Sequence, residues 1–183
     1  FSAMDYRRCD SRIESLSLII SGLEASINHL NKQYQEIDWY DGGMLLEETE
    51  PIFGLALIAF QNYINGSVYD YPDSGYDKIQ LYAFDGVTIH QEKTPINLII
   101  GLANYYKHKD DEQPHKGTRE ILEYFSLGYS KELNLEDSPI FKGLTILSPK
   151  WDLSEILRYV EQWREKLWVN YDDKQSRSKL YEF

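Results

Sequence analysis

An apolar stripe near the N-terminus restricts the fold of this chain more than any other feature. Its members recur at alternating steps of three and four residues: Ile13, Leu16, Ile20, Leu23, Ile27, Leu30 and Tyr34. This spacing places them on one side of an α-helix, which Asp10 or Ser11 can cap and which the segment 38–43 ends. Because the stripe lasts about three heptads, it suits either a helical bundle or a coiled-coil seam.

The following helix decides between these two arrangements. Residues 51–64 are apolar almost throughout, so the helix that they form has little polar face and belongs in a protein core. It starts at about Met44 or at Pro51, and Asn65-Gly66 is a stop signal after its last residue. Pro51 therefore either occupies the first turn or kinks a longer helix. A core helix next in sequence favours packing of the first helix within a bundle.

A small β-hairpin is predicted at about residues 78–91. Asp85-Gly86 is a strong signal for a tight hairpin turn, and it lies between two short segments, 78–84 and 87–91. Apolar residues alternate with other residues in both segments, which is typical of half-buried strands. We therefore expect two short antiparallel strands inserted among the helices.

Three more helices are predicted after this insertion. Thr94-Pro95, a cap followed by proline, opens the first of them, which runs to about residue 109. The second covers residues 118–127, and the last begins at Asp152, which can form a capping box with Glu155. The segment 138–147 fits either a loop or a strand. The expected fold class is mainly α: a bundle of about five helices with the β-hairpin insertion.

The length of 183 residues fits a single domain. We assign residues 5–171 to it, interpret residues 1–4 as a vector remnant, and expect residues 172–183 to form a polar C-terminal tail. Cys9 is the only cysteine, so no disulfide can form within the chain and a reducing compartment suits it. There is neither a signal-peptide pattern nor an apolar run of about 20 residues, so a cytoplasmic location is expected.

Charge is the strongest signal in the composition. Nineteen basic and thirty acidic side chains give a formal net charge of −11. Such a surface repels nucleic acid, whose binding depends on neutralising phosphates with Lys and Arg, so no direct nucleic-acid binding is expected. It attracts a basic protein and accelerates the encounter with it. The alternative is that the charge serves solubility alone.

Tyrosine is abundant and lies beside acids at several places in the chain. There are fifteen tyrosines, and the side chain combines large contact area with a low entropy cost at protein interfaces. The candidate partner-binding residues form three clusters: Asp38, Tyr40 and Asp41; Asp70, Tyr71, Asp73, Tyr76 and Asp77; and Tyr105, Tyr106, His108, Asp110, Asp111 and Glu112. The alternative is that these rings are partly buried for packing.

The third cluster also carries a family resemblance. A helix that ends in Ala103-Asn104-Tyr105-Tyr106-Lys107-His108, within a small helical bundle, resembles the HEPN-like proteins of bacterial defence and toxin–antitoxin systems over about residues 44–126. The resemblance implies RNA cleavage, in which an arginine steadies the phosphate and a histidine moves a proton. If it extends to activity, the catalytic candidates here are Asn104, Lys107 and His108. No arginine lies four to six residues before His108 or His115, so the catalytic pair of the family is missing.

Other chemistry receives little support from the sequence. The four histidines show no spacing typical of a zinc site, and no phosphate-binding loop is present, so neither metal nor cofactor is expected. We predict a non-enzymatic acidic protein that neutralises a basic partner, such as an immunity protein or antitoxin against a nuclease toxin. One alternative is a HEPN-like ribonuclease or RNA-associated defence protein. Another is a structural subunit that forms a homodimer through the first helix.

Overall fold

The computed structural model describes residues 6–73, 75–84, 93–111, 115–128 and 135–180. These residues are mainly helical, as predicted from the sequence, but they form seven α-helices instead of about five, because 78–82 and 139–147 are also helical. The α-helices are α1 (Ile13–Glu36), α2 (Gly42–Asp70), α3 (Lys78–Tyr82), α4 (Pro95–His108), α5 (Lys116–Tyr124), α6 (Pro139–Leu147) and α7 (Leu153–Leu180). Short 3-10 segments cover Tyr6–Arg8 and Leu135–Asp137. No helix in the described part of the chain is both long and apolar enough to cross a membrane.

Helix α1 packs against α2 and α7, which confirms a bundle in place of a coiled-coil seam. Leu16 and Ile20 are buried in the core, and Leu23 and Ile27 are partly buried against it. Tyr34, the last member of the predicted stripe, is exposed because it lies near the end of the helix. The stripe therefore serves packing within the chain.

Helix α2 is the central helix of the core, and it is longer than the sequence predicts. Pro51 lies inside the helix and not in its first turn, so α2 is the longer of the two predicted helices. The predicted end at Asn65-Gly66 is wrong, because the helix continues to Asp70. The glycine serves a different purpose: a Cβ atom there would lie 2.8 Å from Nε of Arg12. Because Gly66 has no side chain, Arg12 has room to reach Asp70 and pair with it. The glycine thus permits a tertiary contact and does not end the helix.

The predicted β-hairpin is wrong. Lys78–Tyr82 is helix α3, and no residue in the described ranges belongs to a strand. The proposed turn Asp85-Gly86 and second strand lie outside the described residues. Asp77 and Gln80 form a reciprocal capping box, with hydrogen bonds of 2.8 and 2.9 Å, that starts the helix. Leu81 and Tyr82 are both buried, whereas a strand would point such neighbours to opposite faces.

Side-chain caps also start α4, α6 and α7, whereas α5 begins after His115 without a side-chain cap. Thr94 and Asn97 form the capping box of α4, and Asp152 accepts the Glu155 backbone N–H at 3.0 Å at the start of α7. The predicted Asp152–Glu155 box is only half formed, because the Glu155 carboxylate accepts the Ser148 hydroxyl at 2.6 Å and the Asp152 backbone N–H donates to Ser148. The ambiguous segment 138–147 is helix α6 after its cap, Ser138. Helix α7 continues beyond residue 171 to Leu180, so the predicted polar tail begins as helix.

Candidate protein-binding site

The acids of the middle predicted cluster are engaged within the chain. Asp70 is buried and pairs with Arg12. Asp73 accepts the backbone N–H two residues further on at 2.9 Å and the Lys174 ammonium at 3.2 Å, and these bonds lower its pKa. Asp77 is exposed but caps α3. A partner would have to displace these contacts in order to use Asp70 or Asp73.

The tyrosines of the middle cluster pack against aromatic and basic side chains of α7. Tyr71 is buried, makes edge contacts with Tyr76 and Trp168, and accepts a hydrogen bond from the Asn170 amide at 3.3 Å. Tyr76 lies under the Lys174 ammonium, 4.0 Å from its ring centroid, and a hydrogen bond from that ammonium lowers the pKa of the phenol. These rings pack the C-terminal helix onto the core.

The third cluster is joined to the core through Lys109, which lies between His108 and Asp110 in the sequence. Tyr105 and Tyr106 are half-buried, and the Lys109 ammonium lies 4.9 Å from the Tyr106 ring centroid. Lys109 also pairs with Glu50 at 2.8 Å, and Glu50 accepts the Ser138 hydroxyl at 2.6 Å. Because Glu50 is buried, this network ties the end of α4 to α2 and α6.

The charged end of this cluster is only partly open. His108 contacts Asp111 through Nδ1 at 2.9 Å, and its ring lies edge-on to that of His115, with 4.7 Å between centroids. Asp110 is exposed, and Glu112 lies outside the described residues. Asp111 is also exposed but contacts His108, so within the described residues Asp110 is the acid of this cluster that no side chain engages.

The catalytic candidates of the ribonuclease alternative do not converge on one open site. Gln61 receives the Lys107 ammonium on Oε1 at 2.6 Å and donates through Nε2 to the Asn104 side-chain oxygen at 2.8 Å. Asn104 and Lys107 are thus bound to a residue that is itself buried, while His108 contacts Asp111. Among the described residues, no group of three or more His, Cys, Asp or Glu is arranged to hold a metal ion.

The first cluster lies where α1 turns into α2, and its acids are presented outward. Asp38 is exposed, and Asp41 is exposed while it caps α2 by accepting the Met44 backbone N–H at 2.9 Å. Tyr40 is not available to a partner, because it is buried and its hydroxyl donates to Glu48. Burial and this hydrogen bond raise the pKa of Tyr40 to about 12.

Sequence reasoning missed the most exposed aromatic side chain of this turn. Trp39 is 73% exposed and Met44 is 40% exposed, although both are large apolar residues. The sequence shows that Trp39 lies between acids, in Asp38-Trp39-Tyr40-Asp41, but it does not show that this side chain is exposed. We name the following set the acidic corner: Asp38, Trp39, Asp41, Met44, Glu47 and Glu48. Within the described ranges, no ion pair joins any of its four carboxylates to a basic side chain.

Comparisons of the chain with protein-family models, with curated proteins and with solved structures found no match.

Polar contacts around Arg164 hold the N-terminal segment against α7. Arg164 is buried, donates from Nη2 to the carbonyl of Arg7 at 3.1 Å, and lies 3.6 Å from Asp10 through Nε. Asp10 also accepts the hydroxyl of Tyr63 in α2. Glu161, half-buried one turn before Arg164, has a raised pKa because of burial and the nearby charge of Asp10.

This raised pKa predicts a pH-dependent stability. Between its ordinary and its raised pKa, Glu161 binds more protons in the folded than in the unfolded state, so stability falls as pH rises through that window. We expect Glu161→Gln to unfold at a higher temperature than the wild type at pH 7 and at a similar temperature at about pH 4. Thermal denaturation followed by circular dichroism at both pH values measures this difference. The control is Glu165→Gln, an exposed neighbour; an equal rise there would assign the effect to net charge.

Proposed function

We propose that this protein is a non-enzymatic binder that neutralises a basic partner, in the manner of an immunity protein or antitoxin against a nuclease toxin. The net charge of −11 supports the class of partner, because the phosphate-binding surface of a nuclease is basic. An acidic inhibitor covers such a surface and gains a faster encounter through long-range attraction.

We further propose that the acidic corner is the contact surface. The observation that carries this choice is the exposure of Trp39, 73%, among carboxylates that have no basic partner within the described residues. Tryptophan is enriched among the residues that dominate binding energies, and surrounding charges steer the encounter. The middle cluster is less suitable, because Asp70 and Asp73 already pair with Arg12 and Lys174.

The two alternatives make different demands on the molecule. A ribonuclease would need His108 to act without the arginine of the HEPN-like pattern, and with Asn104 and Lys107 bound to Gln61. RNA cleavage by the purified protein that disappears in His108→Ala would replace the binding role with this one. A homodimer through α1 would have to use its outer residues, such as Leu18 and Ile19, which are exposed, since the stripe faces the core.

The experiment that tests the proposal is capture of the partner with the intact protein, followed by binding kinetics with the captured partner across a salt series. We expect the partner to be basic and its association rate to fall about tenfold or more as salt is raised from about 0.05 to 0.5 M, because salt screens long-range attraction. The dissociation rate should change much less. An association rate that does not depend on salt would contradict electrostatic recognition and leave the charge with a role in solubility alone.

A further inference from the structure

A cavity of about 460 Å³ opens between α1, α2 and the loop before α7. Its wall combines the aromatic residues Phe53 and Trp151 with the acids Glu24 and Asp152, and Lys150 is the basic residue among its lining. The volume falls within the range of small-molecule sites and also suits one long side chain of another protein. No residue of the acidic corner lines this cavity, although the corner extends from the turn between α1 and α2 into the first turns of α2.

The two carboxylates of this cavity are held in position by the chain itself. Glu24 accepts the Ser154 backbone N–H at 2.8 Å and the Ser154 hydroxyl at 2.8 to 2.9 Å. Asp152 accepts the backbone N–H of Glu155 at 3.0 Å. A carboxylate has about four acceptor positions, so each acid keeps capacity for a further donor. With two acids against one base among its lining, the cavity favours a cation.

Trp151 forms a rigid part of the wall. Its backbone has a φ of 56°, a conformation that is rare for a bulky residue and persists only where its surroundings impose it. The indole N–H donates to the Thr145 hydroxyl at 2.9 Å, and the ring stacks on Phe141 with 5.0 Å between centroids. These contacts fix an aromatic surface beside the two acids before any ligand arrives.

We propose that this cavity receives an arginine side chain of the basic partner, an inference that rests on the proposed function and names a second contact for it. A guanidinium is planar and permanently charged, stacks on aromatic rings and forks onto carboxylates, so Trp151, Glu24 and Asp152 together match it. Leu45 and Leu46, which line the cavity, lie between Met44 and Glu47 of the acidic corner. The cavity and the corner thus both include residues from the first turns of α2.

The test uses the protein alone, with N-acetylarginine methylamide as the probe and the citrulline analogue as its uncharged control of matched shape. Nuclear magnetic resonance follows the indole N–H of Trp151 and the backbone N–H of Ser154, which belong to two residues that line the cavity. We expect saturable shifts with a Kd on the order of 1 mM, which is reasonable for one side chain, and at least tenfold weaker binding of the citrulline analogue. Equal binding of the two probes, or no shift at either group, would overturn the proposal.

Two variants decide which charges are responsible. Glu24→Gln keeps an acceptor for Ser154 and removes the charge, so it should weaken arginine binding about fivefold or more. Lys150→Ala removes the competing cation and should leave that binding unchanged or tighten it. Weaker arginine binding in Lys150→Ala would overturn the proposal and favour a zwitterionic small molecule as the ligand. Because no partner is needed, a failure here leaves the salt-series test of the proposed function intact, and the reverse also holds.

Discussion

The double reversal Asp38→Lys with Glu47→Lys should weaken binding of the basic partner by about 30-fold or more, a loss of at least about 2 kcal/mol where the charges are buried against the partner. Both side chains are exposed, and neither makes a hydrogen bond or ion pair with another residue in the described ranges. We leave Asp41 and Glu48 unchanged, because Asp41 caps α2 and Glu48 accepts the hydroxyl of Tyr40. The measurement is the Kd for the captured partner by titration calorimetry or surface plasmon resonance.

The control for this reversal is Asp110→Lys with Glu123→Lys, which changes the net charge equally. These acids are also exposed: Asp110 belongs to the third predicted cluster, after the end of α4, and Glu123 lies in α5. We expect this control to slow association modestly and to leave dissociation unchanged, as a charge away from the contact does. If the control weakens binding and the corner reversal does not, the interface lies at the end of α4 and the choice of the acidic corner is wrong.

Replacing Trp163 with alanine should destabilise the fold by about 3–5 kcal/mol, the largest effect that we expect on stability. The side chain is fully buried in α7, and its indole N–H donates to the backbone carbonyl of Leu81 at 3.1 Å. Its loss leaves a cavity and a buried carbonyl without its partner, and it releases α3 from α7. Urea denaturation followed by far-ultraviolet circular dichroism measures the free energy of unfolding.

The matched control is Trp39→Ala, the same substitution at an exposed site. Its side chain is 73% exposed, so the change in the free energy of unfolding should stay within about 0.5 kcal/mol. If Trp39 anchors the partner, the same variant should weaken binding by about 2 kcal/mol or more, mainly through faster dissociation. The two tryptophans thus separate folding from binding. A destabilisation at Trp39 equal to that at Trp163 would show that the corner is structural.

Several parts of the molecule followed from the sequence alone, because short-range physics determines them. The spacing of apolar residues from Ile13 to Ile27 gives the inward face of α1. The caps at Thr94 and Asp152 give the starts of α4 and α7, since a side-chain acceptor satisfies backbone N–H groups within one turn. The net charge is a sum over the sequence and needs no coordinates, while the class of partner inferred from it stays a prediction.

Other features depended on contacts between distant residues. Alternating apolar residues and Asp85-Gly86 predicted a strand at 78–84, but this segment is α3, whose Leu81 carbonyl accepts the indole N–H of Trp163 in α7, 82 residues further on. Asn65-Gly66 predicted a helix end, but the glycine makes room for Arg12, and α2 continues. In each case a local signal had two possible uses, and packing selected one of them.

The same division applies to the candidate site. The sequence places acids and tyrosines side by side in three clusters, but it does not show which of these side chains are buried or paired within the folded chain. Arg12 and Lys174, which pair with Asp70 and Asp73, lie 58 and 101 residues away in the chain. Tyr40 is buried and the adjacent Trp39 is exposed. Composition and periodicity determined the helical class and the charge; only tertiary structure decided which charges stay free, because pairing and burial depend on residues that the chain brings together on folding.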